Sequence, residues 1–293
     1  MMRRPWGRGA VIAAPYLWLG LFALLPLAIV LKISFAESVL GIPPYTPLID
    51  TGGDTPEWAG TLESYRRLIS DSLYWRAYLS SIGYATGTTA ICLLLGYPMA
   101  YAIARAPKAW RVTLLMMVIL PFWTSFLLRV YAWIGLLKGN GFINNALVSL
   151  GLVSEPLPLL NNSFSVYVGL VYGYLPFMVL PLYAQLERLD WTLLEAAADL
   201  GARPWRAFLS VTLPLSWPGV AAGSLLVFIP AVGEFVIPEL LGGPDTLMIG
   251  KVLWDEFFEN HDWPAASAVA VAMLALLALP MALMRRRLSE ESA

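Results

Sequence analysis

Two ionisable side chains, Arg129 and Glu234, stand inside long apolar stretches of this 293-residue chain. A charge in apolar surroundings is costly, so such residues face a bundle interior, a partner or a polar pathway. Two readings stay open. The two groups pair and fix packing, or Glu234 faces a pathway and attracts a cationic solute; both hold if the pair breaks during passage. The second reading has support elsewhere in the chain. Glu239, Asp255 and Glu256 supply further carboxylates, and Tyr131, Trp133, Tyr172, Tyr174 and Trp254 supply rings whose faces take a cation or a methylene chain. For each ring taken alone, a packing or lipid-facing role competes.

Covalent chemistry has little to work with. The single cysteine, Cys92, lies in an apolar run, which rules out a disulfide within the chain and reads as a small buried hydrophobe. The single histidine, His261, sits in an acidic loop. There is no HExxH pair, no Ser/His/Asp set and no cysteine cluster, so neither a metal-dependent nor a nucleophilic enzyme is expected, and no metal site. No GxxxxGK[ST] phosphate loop is present, so any nucleotide must be handled by another chain.

The elements that position these residues follow from composition. The chain is 58% hydrophobic and 13% charged, against about 25% charged for a soluble domain, with a mean hydropathy of +0.67. That describes an all-α membrane protein. Twelve Trp and thirteen Tyr suit interfacial belts. The net charge of −1 argues against a nucleic-acid partner. A span takes ~20 apolar residues, and six stretches qualify: about 10–33, 78–103, 112–137, 164–186, 217–238 and 264–284. The first has Arg3, Arg4 and Arg8 ahead of it, as a signal peptide would. Its apolar run exceeds the about 7–15 residues of a signal core, and no small-x-small site follows, so it is expected to be an uncleaved span.

Lys and Arg set the orientation. The N-terminus, 104–111, 187–216 and the C-terminal tail hold twelve basic and six acidic residues, and the opposite side holds six basic and thirteen acidic. Both termini and the 187–216 loop are therefore expected in the cytoplasm, with the acidic loops outside. Arg129 then lies roughly 12 Å from the outer end of the third span, at 1.5 Å per residue. The outer segment 38–62, with Pro43, Pro44, Pro47, Gly52, Gly53 and Pro56, reads as irregular, and Asn140-Gly141 as a turn before an apolar patch at 142–153. Gly83/Gly87, Gly135/Gly139, Gly169/Gly173 and Gly219/Gly223 are four apart and suit close helix packing. Pro98, Pro121, Pro176, Pro181 and Pro230 are expected to kink their helices. No repeat or linker divides residues 1–293, so a single domain is expected.

The loop Glu195–Pro214, EAAADLGARPWRAFLSVTLP, stands apart. Asp190 or Thr192 can start a helix, and Thr192-x-x-Glu195 matches a capping box. Ala196, Ala197 and Ala198 favour helix while presenting almost no side chain. Gly201 suits the position just past a helix end, and Pro204 the first position of the next helix. The product is helix, sharp turn, helix, with a smooth knob at the bend. Glu195, Asp199, Arg203 and Arg206 flank it with charge, and Pro214 and Pro218 stiffen the return to the membrane. Such a knob fits a cleft on a partner. An ordinary amphipathic loop helix fits the spacing as well.

The spacing of Glu195-Ala196-Ala197, three residues, Gly201, nine residues, then Val211-x-Leu213-Pro214 resembles the EAA signature of permease subunits of bacterial ABC importers, with Val211 in place of isoleucine. The runs Val232–Gly243, Lys251–Phe258 and Asp262-Trp263-Pro264 are similar to polyamine-importer permeases, those for putrescine in particular. The resemblance extends over essentially the whole chain. It implies a type I importer fold with six transmembrane helices in the bacterial inner membrane. It gives Glu195, Ala196, Ala197, Gly201, Leu213 and Pro214 the role of coupling to a cytoplasmic ATPase, with the flanking charges Asp199 and Arg203 expected to set the register of that contact. For such a cargo, the charges and rings Glu234, Arg129, Glu239, Tyr131, Tyr172, Tyr174, Trp254 and Asp255 are the candidate residues of a substrate pathway. The partners it implies are a second, homologous permease, two copies of the ATPase, a periplasmic polyamine-binding protein and lipid. ATP and Mg2+ would bind the ATPase, and this chain would hold no cofactor. An ion-driven secondary transporter is the other transport reading; the absence of evident internal repeats and the EAA loop argue against it.

Overall fold

The computed structural model describes residues 6–50 and 57–290. Arg3, Arg4, Gly52, Gly53 and Pro56 lie outside them. The described chain is helical apart from one two-residue antiparallel pair, β1 (Ile49–Asp50) with β2 (Glu57–Trp58), and a bridge between Ser38 and Tyr45. Over the described residues of 38–62, this is the irregular structure that Pro43, Pro44 and Pro47 predicted. The helices fall into two compact units, one formed by the chain's ends, to Trp75 and from Val252, and the other by Arg76–Lys251.

In the first unit, α1 (Trp6–Leu19), a π-helical turn (Gly20–Leu24) and α2 (Leu25–Ile33) form an apolar stretch from Val11 to Ile33. It is followed by α3 (Glu63–Ser70) and the start of α4 (Ser72–Arg105). α14 (Trp263–Glu290) packs against α2 and α3. A polar cluster joins them: Glu256 is buried, accepts from Tyr74 Oη at 2.7 Å and Asn260 Nδ2 at 3.0 Å, and lies 3.8 Å from Arg67, which also bonds Asp262 at 3.0 Å. Both Glu256 oxygens are thus hydrogen-bonded within the unit.

The second unit is built on α8 (Ser163–Leu186) and α11 (Leu213–Val232). In lipid, helices associate through close packing rather than hydrophobic transfer, and glycine supplies the closeness. A β-carbon at Gly219 would meet the Pro181 carbonyl oxygen at 3.1 Å, and one at Gly223 would meet Met178 Sδ at 2.8 Å and the Met178 carbonyl oxygen at 3.1 Å. Gly169 is likewise filled by Leu241 and Ile237, whereas Gly83, Gly135 and Gly139 face open space. Met178, Val179, Leu182 and Leu186 are fully buried around this seam, with Cys92, Tyr97 and Ala100 of α4. α12 (Val236–Leu241), α6 (Phe126–Leu137) and α7 (Phe142–Ser149) complete the unit. The prolines within α4, α8 and α11 sit in unbroken helical assignments.

Two spans differ from expectation. The third is not continuous over 112–137. α5 (Lys108–Ile119) runs into a 3-10 turn (Leu120–Trp123), Thr124 and Ser125 are extended, and α6 leaves at 88°. Pro121 starts this break because it has no N–H to give the preceding turn. The fifth helix begins earlier than 217 and ends at Val232. α10 (Pro204–Ala207), a π turn (Phe208–Thr212) and α11 form one stretch, Pro204–Val232. The π turn ends at Thr212, two residues before Pro214, which cannot donate to the turn before it. Among the described residues, four helices are long and apolar enough to cross a membrane, or five if the bent pair counts as one span; α14 contributes a shorter apolar run, Trp263–Ala278.

Gly223→Ala should force α8 and α11 apart at a cost of about 1–3 kcal/mol. Gly83→Ala, with nothing within 4 Å, provides the control. The thermal midpoint of the detergent-solubilised protein should fall for the first and hold for the second. Equal midpoints would mean that the glycine seam does not set the packing.

Candidate functional site

The 187–216 loop joins the two helices of that seam, so its geometry is fixed at both ends. α9 (Thr192–Asp199) ends in a Schellman motif: the Ala202 amide donates to the Ala197 carbonyl at 2.9 Å and the Gly201 amide to the Ala198 carbonyl at 2.8 Å. The turn requires the left-handed backbone, and Gly201 has φ +81°, which a residue with a β-carbon adopts only under strain. Pro204 then opens α10 at its first position. At the start, the expected Thr192–Glu195 box is not formed. Thr192 is already helical, and Asp190 caps the turn by accepting from the Thr192 amide at 3.0 Å and its hydroxyl at 2.8 Å.

Glu195, Ala196, Asp199, Gly201 and Arg203 are exposed, Ala197 and Leu213 half-buried, and Pro214 exposed on the returning helix. Leu200 at the tip is 88% exposed. Beside it lies an open groove of about 590 Å³ lined by Leu200, Gly201, Ala202, Trp205, Arg206 and Leu209. Small side chains, one protruding leucine and flanking charges of both signs make a surface suited to a protein partner.

Both arms of the loop rest on α4. Tyr101 meets Trp191, before α9, edge-on at 5.8 Å, and Phe208, after α10, at 6.2 Å. Tyr97 meets Phe208 at 5.4 Å and hydrogen-bonds Ser216 across 2.7 Å. The Arg105 guanidinium lies over the Tyr101 and Trp191 rings at 5.8 and 5.3 Å. These residues were missed from sequence, yet a signal existed: Tyr97, Tyr101 and Arg105 recur every four residues and so share one helix face.

Of the pathway candidates, the structure brings Tyr174 and Glu234 together. Tyr174 Oη donates to Glu234 Oε2 at 2.5 Å, and Glu234 Oε1 accepts the Val236 amide at 3.1 Å and the Ile237 amide at 3.5 Å, satisfying the first donors of α12. Arg129 does not join them. Its Nε and Nη1 are buried without an acceptor, and its guanidinium lies over Phe122 at 4.4 Å and Phe126 at 5.7 Å. The ion pair considered from the sequence is therefore replaced by ring stacking. Tyr172 packs edge-on against Trp133 at 5.5 Å, and Tyr131 is 58% exposed on α6. Glu239 pairs with Lys251 beside a smaller cleft of about 380 Å³ that also includes Asn161 and Gly243. Trp254 and Asp255 belong to the other unit. Trp254 closes α13 (Ile249–Trp254) and contacts Phe258 at 4.1 Å, and the Asp255 carbonyl accepts the Asn260 amide at 2.8 Å.

Apolar helices around a packed helix pair, with an exposed loop between the pair, describe a multi-pass membrane protein. The chain belongs to the family described as binding-protein-dependent transport system inner membrane component, whose model matches residues 10–290. It is 40% identical over 268 residues to the spermidine/putrescine transport system permease protein PotB of Haemophilus influenzae, covering 92% of this chain and 89% of that one. To PotB of Escherichia coli K12 it is 38% identical over 262 residues, covering 89% and 90%. The fold matches a bacterial ABC transporter involved in alginate import, with TM-score 0.63, 18% identity and 96% of each chain covered. It also matches the MetNI methionine ABC transporter, with TM-score 0.56, 17% identity and 74% and 95% covered. These relatives are transport permeases rather than enzymes, and the chain is a multi-pass protein of the inner membrane.

The backbone and then the hydroxyl bond from Thr192 hold the Asp190 carboxyl below its ordinary value. A depressed folded value gives stabilisation that is present above the unfolded value and lost as pH falls through the folded one. Amide protection at Leu193 and Leu194 should therefore decline on acidification through that range in the parent protein. In Asp190→Ala it should be low throughout. Matching profiles would remove Asp190 from the cap.

Proposed function

We propose that this chain is the permease subunit of an ATP-driven polyamine importer, forming half of a pathway whose other half is a second, homologous permease. Its six spans place both termini and the Glu195–Pro214 loop in the cytoplasm. The loop docks on a separate ATPase, two copies of which bind ATP and Mg2+, and a periplasmic binding protein delivers putrescine or spermidine to the acidic outer face. The observation that carries the reading is the loop itself: an EAA sequence folded as helix, left-handed glycine and helix, with its tip exposed and both arms anchored.

The mechanism follows from that anchoring. Closure of the ATPase pair moves the knob. Because Trp191 and Phe208 both bear on Tyr101, the displacement passes to α4 and to the α8–α11 seam rather than bending a linker. The seam carries Tyr174 and Glu234 on the side away from the loop, where the pathway opens and closes in alternation. Hydrolysis resets the knob. Glu234 and the nearby rings accept the ammonium and methylene groups of the cargo.

The test is reconstitution with the cognate ATPase, partner permease and binding protein in proteoliposomes. Polyamine uptake should require ATP, and hydrolysis should rise when loaded binding protein is added; this chain alone should hydrolyse nothing. Gly201→Val strains the turn by about 1–2 kcal/mol and should abolish uptake while the protein still inserts and assembles. Normal uptake by that variant would reject the coupling role. A working importer that carries a different solute would reject the polyamine assignment alone.

A further inference from the structure

The two charges within the spans stand at opposite ends of a run of rings. Arg129 lies over Phe122 at 4.4 Å, Phe122 meets Phe177 edge-on at 5.7 Å, Phe177 meets Tyr174 at 6.2 Å, and Tyr174 hydrogen-bonds Glu234 at 2.5 Å. A guanidinium whose buried Nε and Nη1 have no acceptor requires an explanation. A packing role would be served by a neutral side chain without the cost of desolvating a charge. Glu234 is nearly the converse. Its Oε1 is occupied by two backbone amides, while its Oε2 takes one hydrogen bond and keeps acceptor capacity. Between them the run is open on one side, since Phe177 is 41% exposed, and Tyr174 and Phe177, three residues apart, share a helix face.

We propose that Glu234, Tyr174, Phe177 and Phe122 form a subsite for an alkyl diamine, and that Arg129 is the fixed cation that closes its far end and selects against additional ammonium charge. One ammonium of the ligand takes the free acceptor position of Glu234. The methylene chain lies along the ring faces, which also attract the ammonium groups. A longer polyamine, with a further positive charge along the run, is repelled by Arg129. The rings hold that arginine without neutralising it, and this keeps its charge available to the ligand. The inference rests on the reading of this chain as a polyamine permease and adds to it a discriminating step after delivery.

The experiment uses the complete importer in proteoliposomes, with the binding protein saturated by putrescine or by spermidine so that differences arise beyond it. Phe177→Ala should lower uptake per ATP hydrolysed by about tenfold, and Phe177→Tyr should restore it. Arg129→Gln should raise the saturated spermidine rate relative to the putrescine rate by about threefold or more, whereas Arg129→Lys should keep the parental ratio. Unchanged uptake per ATP in Phe177→Ala, or an unchanged ratio in Arg129→Gln, overturns the subsite while leaving the importer assignment in place. If the parent complex moves neither amine, the functional reading fails and the subsite fails with it.

Discussion

The close packing of α8 on α11 is the contact on which the rest of the larger unit depends. Gly219 and Gly223 let the two backbones approach over Pro181 and Met178, and the chain between the helices becomes the exposed loop. On the other side of the seam, the same pair brings Tyr174, on α8, to Glu234, just beyond α11. A single helix pair thus carries both the exposed loop and the Tyr174–Glu234 hydrogen bond. Any shift of one helix along the other is felt at both.

The breaks in the helices follow a common rule. In an apolar medium an interrupted helix leaves amide donors and carbonyls without partners, so interruptions occur where something answers them. At 233–235 the Glu234 carboxylate takes the first amides of α12. At 124–125 the chain turns after Pro121, whose missing N–H already removes one donor. The arrangement makes Glu234 both a helix cap and the one carboxylate joined to Tyr174. Its removal would therefore disturb structure as well as charge, and for that reason Phe177 and Arg129 are the cleaner probes of ligand selection.

The Glu195–Pro214 loop was the most legible part of the sequence, because its conformation is dictated locally. Gly201 supplies the left-handed turn, Pro204 starts a helix, and the alanines keep α9 smooth; all three rules act over a few residues. Arg129, Glu234 and Tyr174 were also visible, as charges and rings in apolar stretches. Their grouping was not, since Tyr174 and Glu234 are 60 residues apart in sequence and opposite charges suggest a pair until rings are seen between them. Pro121 marked a kink, but the 88° size of the break was not legible, because a proline fixes where a helix is interrupted and not the angle at which the chain resumes. The cap at Asp190 rather than Thr192 turned on a one-residue offset, which spacing cannot resolve. The Tyr97–Tyr101–Arg105 face was present as a four-residue repeat, but its partners, Trp191 and Phe208, come from distant segments.

The knob at Leu200 is proposed as the surface on which another protein drives this one. The direct measurement is photo-crosslinking from a photoreactive amino acid placed at Leu200, 88% exposed at the loop tip, in the assembled importer. The predicted result is a crosslink to the cognate ATPase whose yield changes when ATP is added. An assembled, transporting complex that gives no crosslink to the ATPase from this position, or one to the binding protein instead, would contradict the account.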